Sequence, residues 1–255
     1  MNQQQQKQIL ALQKKARERR RAHAFVVEGV RLFSEAPRER IRYTVVSQSF
    51  LKQPQNRKLL EGIPYETVTD SYFESLSDTK SPQGVLAVLE QYEYRLEDLL
   101  PKQGNALLLV LDTIQDPGNL GTMLRAGEAA GVTGILMNEE TVDIYNPKVV
   151  RSTMGTIYRM PFVITPDLPK AMEELSRRGV VSYAAHLDGT VSYDQESYTG
   201  HTAFLIGNEG NGLSDAVAKK ADRLIRIPMQ GKVESLNAAM AATVLLFEAA
   251  RQRRS

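Results

Sequence analysis

Residues 106–132 read ALLLVLDTIQDPGNLGTMLRAGEAAGV, and this stretch decides the fold class. Six apolar residues run without interruption over 106–111, which suits a strand buried on both faces. The run stops at Asp112, Pro117 and Gly118 break the extended chain, and a helical pattern then carries Asn119 near its start and Arg125 almost two turns later. A buried strand turning at once into a helix is half of a strand-helix-strand unit, whose natural product is a parallel sheet covered on both sides.

The same alternation continues to the end of the chain. Residues 134–137, 162–164, 180–185, 203–206 and 224–227 are further strand candidates separated by helical stretches. Ligands of such sheets bind beyond the carboxyl ends of the strands. Three loops lie there. They are DTIQDPGNLG after residue 111, FLIGNEGNGLS around Glu209 with Gly207, Gly210 and Gly212, and RIPMQGKVESLNAAMA from residue 226 to 241. The last puts Ser235 and Asn237 at the mouth of an alanine-rich helix, predicted over 235–252, where both are good capping residues. The glycines run GxxGxG rather than GxGxxG, and Gly231-Lys232 lacks a following Ser or Thr, so neither the dinucleotide fingerprint nor the P-loop is present.

Upstream, the elements are shorter and mixed: a strand at 24–27 leading into a helix over 29–36, strands at 41–46 and 85–89, and helical segments near 50–60 and 71–76. The charged stretch YEYRLEDLLPKQG, residues 92–104, reads as a linker. The predicted organisation is therefore a small N-terminal α/β domain over 1–91, a linker over 92–104 and a parallel-sheet domain over 105–255.

With 255 residues the chain is long enough for two cores, and 42% hydrophobic with 24% charged residues is a globular composition. It has no cysteine, which fits a cytoplasmic setting, and no apolar run long enough to cross a bilayer. His23, His186 and His201 show no metal-ligand spacing, so no metal site is expected. The net charge of +2 conceals a basic segment over residues 7–21, KQILALQKKARERRR, with Glu18 as its one acid. Lys14, Lys15, Arg19, Arg20 and Arg21 are candidates for nucleic-acid phosphate contacts; a solvated helix end is the other reading of such a run.

DPGNLGTMLRAGEAAG, IGNEGNGLS and IPMQGKVESLNAAMAATVLLFE resemble, in that order, the three motifs of the SpoU (TrmH-type) RNA ribose 2′-O-methyltransferases, members of the knotted SPOUT class. The likeness covers residues 105–253, and FVVEGVRLFSEA over 25–36 resembles the start of the ribosomal-protein-like substrate-binding domain common in that family. The resemblance implies an α/β fold whose C-terminal methyltransferase domain is a trefoil knot, and a homodimer packed through that domain. Periodicity alone points to an unknotted sheet.

The chemistry implied is methyl transfer from S-adenosylmethionine to a ribose 2′-hydroxyl of RNA, with ribosomal RNA of the 23S type ahead of transfer RNA. Because the sulfonium already makes the methyl electrophilic, the protein's task is positioning and a more nucleophilic oxygen. The resemblance assigns Gly207, Ile227, Met229 and Leu236 to the cofactor, and Arg125, Asn119, Glu209, Ser235 and Asn237 to the catalytic centre. A guanidinium stays protonated and is no ordinary base, so Arg125 is expected to orient phosphate and stabilise alkoxide. Glu209 is expected to fix loop amides or Arg125. Two other readings stay open: an RNA-binding protein that kept the knot without catalysis, and a knotted enzyme that methylates a base nitrogen.

Overall fold

A computed structural model describes residues 1–254; Ser255, placed above at the end of the second domain, lies outside the described residues. The chain forms two compact units. One is Met1–Tyr92 together with Asp143–Tyr158, and the other is Glu93–Val142 together with the chain from Arg159 onward.

In the first unit, strands β1 (Ala24–Glu28), β2 (Ile41–Ser47), β3 (Tyr65–Val68) and β4 (Val85–Glu90) form a sheet of order β1-β4-β2-β3. β4 runs antiparallel to both neighbours, while β2 and β3 are parallel. The helix Gln3–Lys14 lays Ile9 and Leu12 on this sheet, beside Val26, Phe73, Leu76, Leu86 and Val88. Residues 143–158, assigned by sequence to the second domain, instead belong with the first unit. Tyr145 packs its ring 4.6 Å from that of Phe25 and accepts the Tyr92 amide at 2.6 Å, and Tyr158 donates to the Leu32 carbonyl at 2.9 Å.

The same packing corrects one residue of the basic segment. Arg19 is 3% exposed; its guanidinium bonds Asp143 at 2.7 Å and donates to the Leu12 and Gln13 carbonyls. A guanidinium so occupied is a structural clamp with no donor directed at solvent phosphate. Lys14, Lys15, Arg20 and Arg21 are exposed, with Arg21 paired to Glu18 at 2.5 Å.

In the second unit, strands β5 (Leu107–Leu111), β6 (Gly134–Asn138), β7 (Phe162–Thr165), β8 (Val181–Ala185), β9 (Val191–Ser192), β10 (Thr202–Ile206) and β11 (Arg223–Arg226) form one sheet. Its order is β7-β6-β5-β10-β8-β11-β9, and every adjacent pair is parallel. All residues of β5, β6 and β10 are buried, as their continuous apolar runs require. From β5 the chain builds outward through β6 to β7, then crosses to β8 on the other side and returns to place β10 beside β5. The carboxyl ends of β5 and β10 therefore flank a topological switch point, the usual place for a ligand.

The stretch over 92–104 is not a loose linker. Leu99 is fully buried in the second unit's core and fits against Gly134, where a side chain would overlap it, and Thr133 Oγ1 donates to the Leu99 carbonyl at 2.8 Å. The two longest helices of this unit, Pro117–Ala130 and Ala238–Arg253, pack on each other. The C-terminal helix begins later than its predicted start at 235, because Asn237 rather than Ser235 is the cap.

Removing one partner of the buried Arg19–Asp143 pair strands the other charge. Arg19→Ala should lower unfolding free energy by about 3 kcal/mol in urea titrations. Arg20→Ala, on an exposed neighbour, should change it by no more than about 0.5 kcal/mol. Equal effects would show that the pair does not hold residues 143–158 in place.

Candidate active site

Each of the three loops enters the site from the carboxyl end of a strand. After β5, Asp116 caps the helix Pro117–Ala130: its Oδ1 accepts the Asn119 amide at 2.8 Å, and Pro117 occupies the first helical position, where a missing N–H costs nothing. Asn119 is thereby fixed in the first turn with its side chain free to reach outward.

After β10, the chain folds tightly on itself. Asn208 and Gly212 exchange backbone hydrogen bonds at 2.9 Å, and the Asn208 side chain accepts the Gly210 and Asn211 amides. A side chain at Gly207 would run into the backbone of Gly212 and Leu213. Glycine is therefore demanded by the loop's own close approach. A side chain there would distort the loop before it filled any ligand's space.

Glu209 projects from this loop onto the one after β5. Its Oε1 accepts the Asp116 amide at 3.1 Å and the Asn119 Nδ2 at 2.9 Å, and its Oε2 accepts the Gln115 amide at 3.1 Å. Burial pushes the Glu209 carboxyl up, but the hydrogen bonds from Asn119, Gln115, its own amide and Asp116 together outweigh it and hold the group below the ordinary glutamate range. An ionised carboxylate only accepts, so it dictates which way Asn119 points.

The direction then propagates. With its Nδ2 given to Glu209, Asn119 offers Oδ1, which accepts the Asn237 Nδ2 at 3.0 Å. Asn237 in turn offers Oδ1 to the Ala239 and Met240 amides at 2.9 and 3.3 Å, capping the C-terminal helix. One chain of hydrogen bonds, Glu209 to Asn119 to Asn237, so joins all three loops.

Not every candidate residue joins it. Ser235 is exposed and neither caps the helix nor bonds any described residue. Arg125 lies six residues past Asn119, roughly 120° round the helix and about 9 Å further along it. It is exposed, with no ion pair or hydrogen bond to the described residues, so Glu209 fixes amides and not Arg125. Ile227 and Met229 are half-buried and Leu236 is 37% exposed, an accessible apolar edge beside backbone-rich loops. Sequence reading passed over Asp116, although a capping residue directly before proline is a legible helix start. It also passed over Asp112, just past the carboxyl end of β5, and Asn138, at the carboxyl end of β6, where the switch-point rule directs attention.

A carboxylate held below its ordinary range keeps its hydrogen bonds above that range and loses them as pH falls through its lowered value. The Asn119 and Asn237 side-chain amide resonances should therefore stay constant from pH 9 down to about 4.3, the unperturbed glutamate value, and shift only below it. A transition near neutral pH would mean that the carboxylate is not held in this way.

The sequence profile of the SpoU rRNA Methylase family matches residues 106–247, and that of the MRM3-like substrate binding domain matches residues 3–87. The chain is similar to the 23S rRNA (guanosine(2553)-2′-O)-methyltransferase RlmP of Bacillus subtilis, at 31% identity over 91% of this chain and 90% of that protein. It is 38% identical to the 23S rRNA (guanosine-2′-O-)-methyltransferase RlmB of Xanthomonas campestris, over 76% of this chain and 80% of that one. Among solved structures, the SpoU methyltransferase AviRb of Streptomyces viridochromogenes, in complex with AdoMet, superposes with a TM-score of 0.89 at 32% identity, covering 100% of this chain and 99% of that one. On the sheet order, the three-loop site and these matches, the chain belongs to the SpoU rRNA methylase family.

Proposed function

We propose that the protein methylates a ribose 2′-hydroxyl of ribosomal RNA, of the 23S type, using S-adenosylmethionine. The observation that carries this reading is the Glu209–Asn119–Asn237 chain at the switch point, formed by the three loops whose motifs the family shares. The names of the relatives support RNA of the large ribosomal subunit, and a cytoplasmic setting follows from that substrate.

The site fits the cofactor. The loop closed on itself at Gly207 presents backbone groups, and Ile227, Met229 and Leu236 supply apolar surface of the kind an adenine needs. Bound there, S-adenosylmethionine supplies a methyl group made electrophilic by its sulfonium.

The remaining work falls to this chain's residues. Arg125, unpaired and exposed, orients the nucleotide through its phosphate and stabilises charge that develops on the 2′-oxygen. Glu209 is no base, since both its oxygens are engaged and its proton affinity is lowered. The 2′-hydroxyl proton therefore leaves to a substrate phosphate or to water. Ser235, exposed and with its hydroxyl uncommitted, hydrogen-bonds the ribose in this reading. Asn119 and Asn237 hold the loops that carry these groups.

Lys14, Lys15, Arg20 and Arg21 add salt-dependent affinity for RNA phosphates from the first unit, with Arg19 left to its structural role. The trefoil knot and the homodimer belong to the same reading. The match to the SpoU rRNA Methylase family supports the first. Val233, Leu236, Met240 and Phe247, all apolar and exposed, support the second.

Single-turnover methylation of ribosomal RNA tests the proposal. The native protein should transfer label; failure to do so with any ribosomal RNA would sink it. Arg125→Ala should stay folded and bind S-adenosylmethionine normally, yet react about 100-fold more slowly. Arg125→Lys keeps the charge without the planar fork and should recover little of the rate. If Lys restores most of it, a point charge suffices and the oriented guanidinium is wrong.

A further inference from the structure

Beneath the loops lies a second polar network that the proposed chemistry does not use. Asp112, the first residue after β5, is 3% exposed, and Asn138, the last residue of β6, is 8% exposed. Asp112 Oδ2 accepts both the amide of Ser214 at 2.8 Å and its hydroxyl at 2.7 Å. Its Oδ1 accepts the Asn138 Nδ2 at 2.9 Å and the Thr113 hydroxyl at 3.2 Å. Asn138 Oδ1 accepts the Thr113 amide at 2.9 Å, together with the amide and hydroxyl of Thr141 at 3.1 and 2.8 Å.

The network has a mechanical consequence. Thr113 is held at φ +61°, a left-handed conformation that a β-branched residue adopts only under constraint, and Asn138 receives its amide. In that conformation the Thr113 carbonyl accepts the Asn208 Nδ2 at 2.9 Å. Asn208 then uses its Oδ1 to gather the Gly210 and Asn211 amides. So the loop over 207–214 is gripped twice from β5. Asp112 holds its far end at Ser214, and Thr113 holds its near end at Asn208.

We propose that Asp112 and Asn138 are positioning residues for the cofactor: their matched donors and acceptors set the shape of the Gly207–Ser214 loop. This rests on the reading that this loop and Leu236 hold S-adenosylmethionine. The pairing has a definite polarity, because every atom of Asp112 that faces the network accepts and the Asn138 amide nitrogen donates. Asp112→Asn must turn an NH2 group against either the Ser214 amide or the Asn138 NH2. Asn138→Asp must set two carboxylates together. Making both changes restores the match: Asn at 112 donates to Asp at 138, still accepts both Ser214 groups, and Asp at 138 accepts the Thr113 and Thr141 donors as before.

Calorimetric titration with S-adenosylmethionine, well below the melting temperature of each variant, tests this. Asp112→Asn and Asn138→Asp should each raise Kd by about 10-fold or more, the usual consequence of a broken buried charged hydrogen bond. The double variant should return to within about 3-fold of the native value, a rescue that general damage to the core does not produce. Should either single variant fail to fold, Ser214→Ala on the exposed loop removes one donor only and should raise Kd by about 5-fold. Leu236→Asp serves as the control on the cofactor site itself. If Leu236→Asp binds as tightly as the native protein, the cofactor lies elsewhere and the underlying reading falls. If Leu236→Asp loses affinity while Asp112→Asn or Ser214→Ala keeps it, the positioning role is wrong. A double variant as weak as the singles overturns it too.

Discussion

A carboxylate that accepts three donors from another stretch of chain, besides its own amide, has no freedom left to turn, and Glu209 is such a group. Its bonds to the Gln115 and Asp116 amides fasten the loop after β10 to the loop after β5. Its third bond fixes the side-chain amide of Asn119, and through it Asn237 and the start of the C-terminal helix. Replace the carboxylate by a group that also donates, and the polarity of the whole chain becomes ambiguous. Three stretches far apart in sequence depend on this one acceptor for their common geometry.

The sheet explains why they meet. Parallel strands put their carboxyl ends on one edge, and the return of β10 to the side of β5 opens a crevice there. Beneath it, Asp112 and Asn138 grip the turn that leaves β5 and, through Ser214 and Asn208, the loop that leaves β10. The upper chain sets the relation of the loops to one another, and the lower network sets the shape of one of them. Arg125 and Ser235 stand outside both. Groups that act on a substrate should be left uncommitted by the protein, whereas groups that position should be saturated.

Much of this was legible in the residues because strong local signals agreed. The uninterrupted apolar runs of β5, β6 and β10 announced buried parallel strands, and the loops after β5 and β10 pointed to the candidate site. β3 was missed because its edge position leaves an alternating, half-exposed pattern in only four residues, and β9 because two residues carry no period. The stretch over 92–104 was misread because its charges mask three leucines: Leu99 is buried in the core, and Leu96 and Leu100 pack against it. Arg19 looked like its exposed neighbours until Asp143, more than a hundred residues away, was seen to bury it. Ser235 and Asn237 are equally good caps by type; the Ala239 and Met240 amides bond Asn237, whose side chain is also tied to Asn119. The last three misses are tertiary contacts overriding a local preference.

The central claim is that the reacting atom is a ribose 2′-oxygen. Alkaline cleavage of RNA requires that oxygen to attack the adjacent phosphate, so a 2′-O-methyl nucleotide leaves its phosphodiester uncut. Ribosomal RNA labelled by the purified protein with methyl-tritiated S-adenosylmethionine, then digested in alkali, should release its label in alkali-stable dinucleotides. Label released in mononucleotides would place the methyl group on a base and contradict the account.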